Sequence, residues 1–279
     1  MRFMLLGEQA TGKSSLLVAL YGALVNRRIE DLRIVRTIDD VEFLSRGLLA
    51  FGRQESLRRT EIDSDARLLM ELARADQLVT LDIPDRSGEL LKHMLDARVW
   101  DSGLLAQIRL AEGAMLFLRA DQLIAEASPP PPPASFGESG EPFAETVAVQ
   151  APPAPPWSPA LMPADARAVD LLQSLLDQRS EPLPLAIIIS AWDSVSEPAP
   201  SPRDWLSESV RLLDQYLESN AERLPHAVFG VSAQGGDFSS GLAGELIRAD
   251  PWDRAYLVGP DGLRETLASP ILWLLDSKT

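Results

Sequence analysis

The hydrophobic positions of the chain alternate between short apolar runs and longer stretches with helical spacing. Short runs predict strands at 3–6, 32–37, 66–72, 77–83, 114–118, 185–190 and 227–231. Apolar residues spaced three and four apart predict helices over 14–25, 41–51, 89–95, 104–110, 165–176, 205–217 and 271–275. Strands that alternate with helices are typical of a doubly wound, mostly parallel sheet.

The stretch 128–163 departs from this pattern. It holds 12 of the 22 prolines of the chain, including the run Pro129–Pro133. Proline lacks a backbone N–H and fixes φ, so such a stretch supports neither a ladder nor a helix interior. We interpret it as a flexible insertion loop within a single domain, 1–279. An alternative interpretation is an arm that docks on a proline-recognising partner.

Composition and charge narrow the classes of function. The chain has 26 Lys and Arg against 41 Asp and Glu, a net charge of −15, which argues against direct nucleic-acid binding. It has no cysteine and two histidines, His93 and His226, which argues against disulfides and against a Cys- or multi-His metal site. No apolar run reaches the length of a membrane span, so we expect no membrane insertion and a cytoplasmic location.

The strongest chemical signal lies directly after the first predicted strand. It reads Gly7-Glu8-Gln9-Ala10-Thr11-Gly12-Lys13-Ser14, followed by Ser15, and fits G-x-x-x-x-G-K-[ST] at every position. Backbone N–H groups of such a loop surround a phosphate at the helix N-terminus. Lys13 would reach the β- and γ-phosphates, and the Ser14 hydroxyl would bind Mg²⁺. The sequence therefore predicts a nucleotide-binding site at 7–15.

Three later strands also end in polar residues. The first ends at Asp82, the second continues into Ser190-Ala191-Trp192-Asp193, and the third ends at Ser232-Ala233. Because the carboxyl ends of parallel strands meet at one edge of a sheet, these residues are expected near the loop.

The order of these motifs resembles the Ras-like GTPases of the TRAFAC class, and in particular the bacterial double-GTPase-type proteins of anti-phage gene neighbourhoods. The resemblance spans nearly the whole chain, apart from 128–163 and parts of 29–59. It implies an α/β P-loop NTPase fold, a three-layer α/β/α sandwich whose mostly parallel sheet has one antiparallel strand. It also implies binding of GTP or GDP with Mg²⁺, hydrolysis of GTP, and a protein partner recognised through switch loops.

The resemblance assigns roles to single residues. Asp82 corresponds to the aspartate that holds Mg²⁺ through a water. Asp193 corresponds to the carboxylate that accepts from guanine N1–H and N2–H₂, with Ser190 and Trp192 in the same motif. Ser232 and Ala233 correspond to the Ser-Ala pair beside guanine O6. The lysine of the guanine motif is replaced by Ala191, which implies weaker affinity or selectivity.

The second switch motif also departs from the family. Asp82-Ile83-Pro84-Asp85 has aspartate where the family has a glycine whose N–H contacts the γ-phosphate. Gly88 takes over that role if the loop is three residues longer. Glu89 then stands where the family has a glutamine that orients the attacking water.

The threonine of the first switch is either Thr37 or Thr60. We favour Thr60, with 29–59 as an added segment, because the stretch from Thr60 to Asp82 has room for two strands and a turn. Thr60 would bind Mg²⁺. Arg58 and Arg59 precede it and would supply an arginine finger in cis; the alternative is that both are solvated surface residues.

The leading hypothesis is therefore a slow or partner-activated GTPase that acts as a molecular switch. An ATP-dependent P-loop ATPase or kinase is a second hypothesis, and Asp193 disfavours it because adenine lacks the donor pair. A nucleotide-binding interaction module with little turnover is a third, which the altered switch motif favours.

Overall fold

The computed structural model describes residues 1–38, 41–53, 68–83, 87–127, 158–196, 198–236 and 250–278. All nine strands of this part of the chain belong to one sheet, in the order β2-β3-β4-β1-β5-β6-β7-β8-β9. The strands are β1 (Arg2–Leu6), β2 (Arg33–Ile38), β3 (Leu68–Arg74), β4 (Gln77–Ile83), β5 (Gly113–Arg119), β6 (Leu185–Ser190), β7 (His226–Ser232), β8 (Tyr256–Val258) and β9 (Arg264–Glu265).

Helices cover both faces of the sheet. They are α1 (Lys13–Val25), α2 (Val41–Gly52), α3 (Ser87–Ala97), α4 (Ser102–Leu110), α5 (Ala120–Ala127), α6 (Ala164–Asp177), α7 (Pro202–Ser209), α8 (Arg211–Ser219), α9 (Pro251–Arg254) and α10 (Ser269–Asp276). One core contains side chains of α1, α2 and α10, and the other contains side chains of α3 to α8. Among the described residues, no helix combines the length and the apolar character needed to cross a membrane.

Apart from residues at their ends, strands β1, β5 and β6 are apolar because both faces of the sheet are covered there. In β1, Phe3 and Leu5 pack toward α1, whereas Met4 and Leu6 pack toward α3 and α6. All four side chains are at most 2% exposed. This alternation fixes the register of β1, since a shift by one residue would exchange the two faces.

The predicted three-layer α/β class is confirmed, with a difference in strand direction. Strands β4, β1, β5, β6 and β7 pair in parallel, and β3 and β8 both run against them. The sheet therefore contains two antiparallel strands in place of the expected one. The additional strand, β8, is three residues long, too short to produce a clear sequence pattern.

Two further details differ from the sequence-based expectation. The helix expected over 205–217 is divided into α7 and α8 at Val210, whose φ of −130° and ψ of 54° are not helical. Strand β9 and helices α5 and α9 were not expected, and they are short as well.

The segment 29–59 adds an edge strand and a helix to the domain. Strand β2 pairs antiparallel with β3, and Thr37 lies opposite Met70 in this pairing. Helix α2 packs on α1, with Leu44 and Phe51 buried in the shared core. Residues 54–59 lie outside the described part of the chain.

The proline-rich stretch does not lie wholly outside the fold. Residues 128–157 are outside the described residues, but the chain is described again from Ser158, with a 3₁₀ turn at Pro159–Leu161. The Pro159 carbonyl accepts a hydrogen bond from Arg167 Nη1 at 3.4 Å. The last six residues of 128–163 therefore belong to the packed domain.

We expect replacement of 128–157 by a Gly/Ser bridge of about ten residues to leave the melting temperature and nucleotide affinity nearly unchanged. Extending the deletion through Pro163 should lower the melting temperature, because it removes the Pro159 carbonyl and the residue preceding α6. Thermal unfolding of the two variants checks this. An equal loss in both would mean that 128–157 packs on the domain.

Candidate nucleotide-binding site

The loop 7–12 connects β1 to α1 and lies against the ends of two neighbouring strands. Gly7 has φ 147° and Gly12 has φ 88°. A Cβ on Gly7 would lie 2.9 Å from the Phe117 carbonyl oxygen at the end of β5. A Cβ on Gly12 would lie 2.8 Å from the Ser190 Cβ at the end of β6. Both positions therefore require glycine, for torsion and for space.

The side chain of Lys13 is folded onto this loop. Its Nζ donates to the carbonyls of Gly7 and Glu8, each at 2.6 Å. Burial of the ammonium group lowers the pKa of Lys13 from 10.5 to about 8, while the Glu8 carboxylate opposes part of the shift. A dehydrated cation at a helix N-terminus, inside a loop that only glycine fits, is suited to bind a phosphate.

The other predicted loop residues have separate structural roles. Thr11 Oγ1 donates to the Glu8 carbonyl at 2.8 Å and closes the turn. Gln9 and Ala10 are exposed at its tip, and Ala10 adopts φ 63°. Ser14 and Ser15 are the second and third residues of α1 and are partly buried.

The side chain of Glu8 is held by an arginine that the sequence analysis did not select. Arg167 on α6 donates from Nε to Glu8 Oε1 at 2.5 Å, and its Nη1 lies 3.5 Å from Asp96 Oδ1 on α3. Arg167 is 7% exposed. The sequence signal for this role was the position of Arg167, a charged residue, within the apolar face of the predicted helix 165–176. Arg167 therefore connects the P-loop, residues 7–14, with α3 and α6. The loop and these two helices line a cavity of about 430 Å³ beside it.

The residues predicted to read the base are brought together at the ends of β6 and β7. Asp193 lies in a 3₁₀ turn directly after β6, and Ser232 ends β7. The Ser232 hydroxyl donates to Asp193 Oδ1 at 2.5 Å, which orients an otherwise exposed carboxylate. Ser190 Oγ donates to the Leu118 carbonyl at 3.1 Å, and Ala233 follows Ser232 in a partly buried position.

Trp192 is a correction to the predicted site. Its indole is 3% exposed and meets Trp205 edge to face, with ring centroids 5.9 Å apart. The ring also fills the space beside Gly230, where a Cβ would lie 2.4 Å from it. The side chain therefore belongs to the core, because an apolar ring next to a polar turn gains most from burial.

Asp82, the predicted magnesium-binding aspartate, lies inside the sheet. It pairs with Met4 of β1, three residues before Gly7, so it lies roughly 10 Å from the loop along the strand. Its carboxylate is 1% exposed, and Oδ2 lies 3.9 Å from Nε of Arg2 at the start of β1. The register of β4 thus places Asp82 inside the sheet beside Arg2, and its role at Mg²⁺ stays a prediction.

The switch residues are described in part. Arg58, Arg59 and Thr60 lie within 54–67, outside the described residues, as does Asp85 within 84–86. Gly88 and Glu89 lie in the first turn of α3.

A model of the Double-GTPase 1 family matches residues 4–274. The chain belongs to the Double-GTPase 1 family. This membership agrees with the resemblance inferred from the P-loop and the guanine motifs, and it supports binding of a guanine nucleotide. None of the curated proteins matches the chain.

Solved structures of GTPases resemble this Double-GTPase 1 protein at low identity. The Arl6 small GTPase of Trypanosoma brucei with bound GppNp is 8% identical, with 99% of this chain and 96% of that chain covered and a TM-score of 0.43. A GTP-binding protein of Sulfolobus solfataricus in complex with GDP is 9% identical, with 100% and 53% covered and a TM-score of 0.40. At these TM-scores, the assignment of the fold rests on the sheet order and the P-loop.

The lowered pKa of Lys13 predicts that nucleotide affinity depends on pH. A bound phosphate raises the pKa of Lys13 again, so the complex holds more protons than the free protein above pH 8. Affinity for GDP should then fall as pH rises through about 8, by up to about tenfold per pH unit. Calorimetric titration in two buffers of different ionisation enthalpy would detect the proton uptake.

The matched control is Lys13→Arg, because a guanidinium stays protonated throughout this range. Its affinity for GDP is expected to be lower than that of the wild type at pH 7 but to show no fall above pH 8. A wild-type affinity that stays constant from pH 7 to 9.5 would contradict the prediction.

Proposed function

We propose that this protein binds GTP with Mg²⁺ and hydrolyses it slowly to GDP, and that its switch segments change the affinity for a protein partner. The observation that carries this proposal is the hydrogen bond between Ser232 and Asp193 at 2.5 Å. It joins the two predicted base-reading motifs at the same edge of the sheet as the P-loop.

Guanine is favoured over adenine by the chemistry of Asp193. A carboxylate accepts hydrogen bonds from the N1–H and N2–H₂ groups of guanine, whereas adenine presents an acceptor at N1 and no amino group at C2. An adenine in the same position would leave the carboxylate without partners, which costs roughly 1–3 kcal/mol. The ATPase or kinase hypothesis therefore has less support.

The phosphate end of the site rests on Lys13 and Ser14. We propose that Lys13 binds the β- and γ-phosphates and that Ser14 binds Mg²⁺. Asp85 is the better candidate than Asp82 for the aspartate that holds the ion through water. It begins Asp85-Arg86-Ser87-Gly88, in which the glycine stands in the fourth position. A bound Mg²⁺ would neutralise charge on the β- and γ-phosphates.

This three-residue shift also supports a role for the start of α3. With Asp85 in the first position, Gly88 and Glu89 take the places of the phosphate-sensing glycine and of the water-orienting residue. The N–H groups in the first turn of a helix have no acceptor within the helix, so the Gly88 N–H suits a γ-phosphate.

A glutamate in the water-orienting position supports slow turnover, because a carboxylate beside the γ-phosphate adds like charge. Thr60 remains the proposed switch-I ligand of Mg²⁺. Arg58 or Arg59 would supply positive charge in cis, or a partner would supply it in trans. The resemblance to anti-phage double GTPases supports a bacterial defence protein as that partner.

Guanine selectivity is tested by titrating the purified protein with GTP, GDP and ATP in the presence of Mg²⁺. We expect GTP and GDP to bind at least about tenfold more tightly than ATP, the factor that 1.4 kcal/mol represents. Asp193→Asn should reduce this ratio because the amide replaces one acceptor with a donor. Asp76→Asn, in the exposed turn between β3 and β4, is the control. Equal wild-type affinities for ATP and GTP would favour the ATPase hypothesis.

Substitutions of Asp82 and Asp85 are expected to have different effects, which distinguishes the two candidates. Asp85→Asn should weaken the Mg²⁺ dependence of GDP release while leaving the melting temperature close to that of the wild type. Asp82→Asn should lower the melting temperature, because it alters a buried carboxylate beside Arg2, and should leave the Mg²⁺ dependence intact. Stopped-flow release of a fluorescent GDP with and without chelator measures this. The opposite pattern would restore Asp82 as the ion-binding residue.

A further inference from the structure

The turn that carries Asp193 has a small residue where it passes the P-loop. Ala191 follows directly after β6, adopts φ 52° and ψ 40°, and is partly buried. Its methyl group offers no charge and little surface to a nucleotide. A nucleotide with its phosphates at the P-loop and its base at Asp193 would therefore gain no stacking contact from Ala191.

Arg119 reaches the P-loop from the neighbouring strand, β5. It is the last residue of β5 and pairs in register with Ser190, one residue before Ala191. Its Nη1 donates to the carbonyl of Ala10 in the P-loop at 3.2 Å. The Arg119 side chain is therefore in contact with the phosphate-binding loop and adjacent to the strand that leads to Asp193.

A second carboxylate fixes the orientation of the guanidinium. Asp121 accepts from Nε at 2.7 Å and from Nη2 at 2.8 Å. Its Oδ1 also accepts from the Gln122 backbone N–H at 2.9 Å in the first turn of α5. The hydrogen bond that Arg119 donates to Asp121 is the main cause of a raised pKa for Arg119, and the charge of Asp193 contributes to the rise.

These contacts lie in the plane of the guanidinium, because its N–H donors point outward in that plane. All three of its nitrogens donate to Asp121 or Ala10, which lie at its edges, yet the side chain is 37% exposed. A guanidinium that is held in its plane by a bidentate carboxylate presents a flat, weakly hydrated cation. Such a surface stacks on aromatic rings, purines included.

We propose that Arg119 is a nucleotide-binding residue, whose guanidinium plane stacks on the purine between the P-loop and Asp193 and is positioned by Asp121. The inference rests on the proposed binding of a guanine nucleotide. It assigns the base contact to a side chain from β5, outside the P-loop and the two guanine motifs. Arg119 lies 106 residues beyond Lys13 in the chain, and strand order brings the two to one edge.

The test compares GDP with inorganic pyrophosphate, which occupies a phosphate site but carries no purine. Affinities are measured by competition against a fluorescent GDP for the wild type, Arg119→Ala and Arg119→Lys. The matched control is Arg36→Ala. Arg36, on the edge strand β2, also donates two hydrogen bonds to one carboxylate, that of Glu71, at 2.7 and 3.0 Å.

We expect Arg119→Ala to weaken GDP binding about tenfold and to leave pyrophosphate binding within about twofold of the wild type. Arg119→Lys should recover part of the loss, since it keeps the charge but lacks the plane. Arg36→Ala should change neither affinity. An equal loss for GDP and pyrophosphate would overturn the inference, because Arg119 would then only hold the loop, and unchanged GDP affinity would overturn it as well.

A spectroscopic measurement on the folded wild-type protein covers the case in which Arg119→Ala does not fold. The Nε–H resonance of Arg119, assigned by its loss in Arg119→Lys, should move upfield on addition of GDP through the ring current of the purine. Pyrophosphate should not produce this shift. A resonance that GDP does not move would overturn the inference alone, whereas a wild-type protein that binds no GDP would overturn the proposed function together with it.

Discussion

The close approach of the P-loop backbone to the ends of β5 and β6 is the constraint on which the site depends. Gly7 lies against the Phe117 carbonyl and Gly12 against Ser190, at separations that no side chain would allow. Because the loop sits on these strands, whatever follows them in sequence lies beside the phosphate position. Arg119 continues β5 and Asp193 follows β6, so one packing contact assembles the phosphate and base ends of the site together.

The same packing leaves Lys13 in an electrostatically costly state. Its ammonium group is satisfied by carbonyl oxygens, which are neutral, and burial lowers its pKa to about 8. A bound anion would offset the free-energy cost of burying this charge. Part of the affinity for a phosphate would therefore come from compensation of a cost that the free protein already carries. Arg167 has a different role, because it already meets the carboxylates of Glu8 and Asp96. It holds the Glu8 side chain of the loop and connects the loop to α3.

The sequence was sufficient for the P-loop, the strand pattern and the meeting of Asp193 with Ser232, because each depends on local spacing or on strands that run parallel. The sequence was not sufficient where the neighbouring residues allow a side chain two different placements in the fold. Asp82 and Asp85 both follow an apolar residue in the sequence, and only the pairing of Asp82 with Met4 shows that Asp82 lies within β4. Trp192 stands in a polar motif, yet the space beside Gly230 and Trp205 takes it into the core. Arg119 and Arg167 act through residues more than a hundred positions away, which no periodicity reveals.

The two ends of the sheet have a consequence for self-association. An exposed sheet edge can pair with a second copy of the same protein and begin an aggregate. At one end, β9 offers two residues, Arg264 and Glu265, both exposed and charged. At the other end, β2 carries exposed Arg33 and Arg36 and has a register shift between Ile34 and Arg36. Neither edge is a long, flat, apolar template, and the net charge of −15 adds repulsion between copies. The two described edges of the sheet therefore present little apolar strand for a second copy to extend.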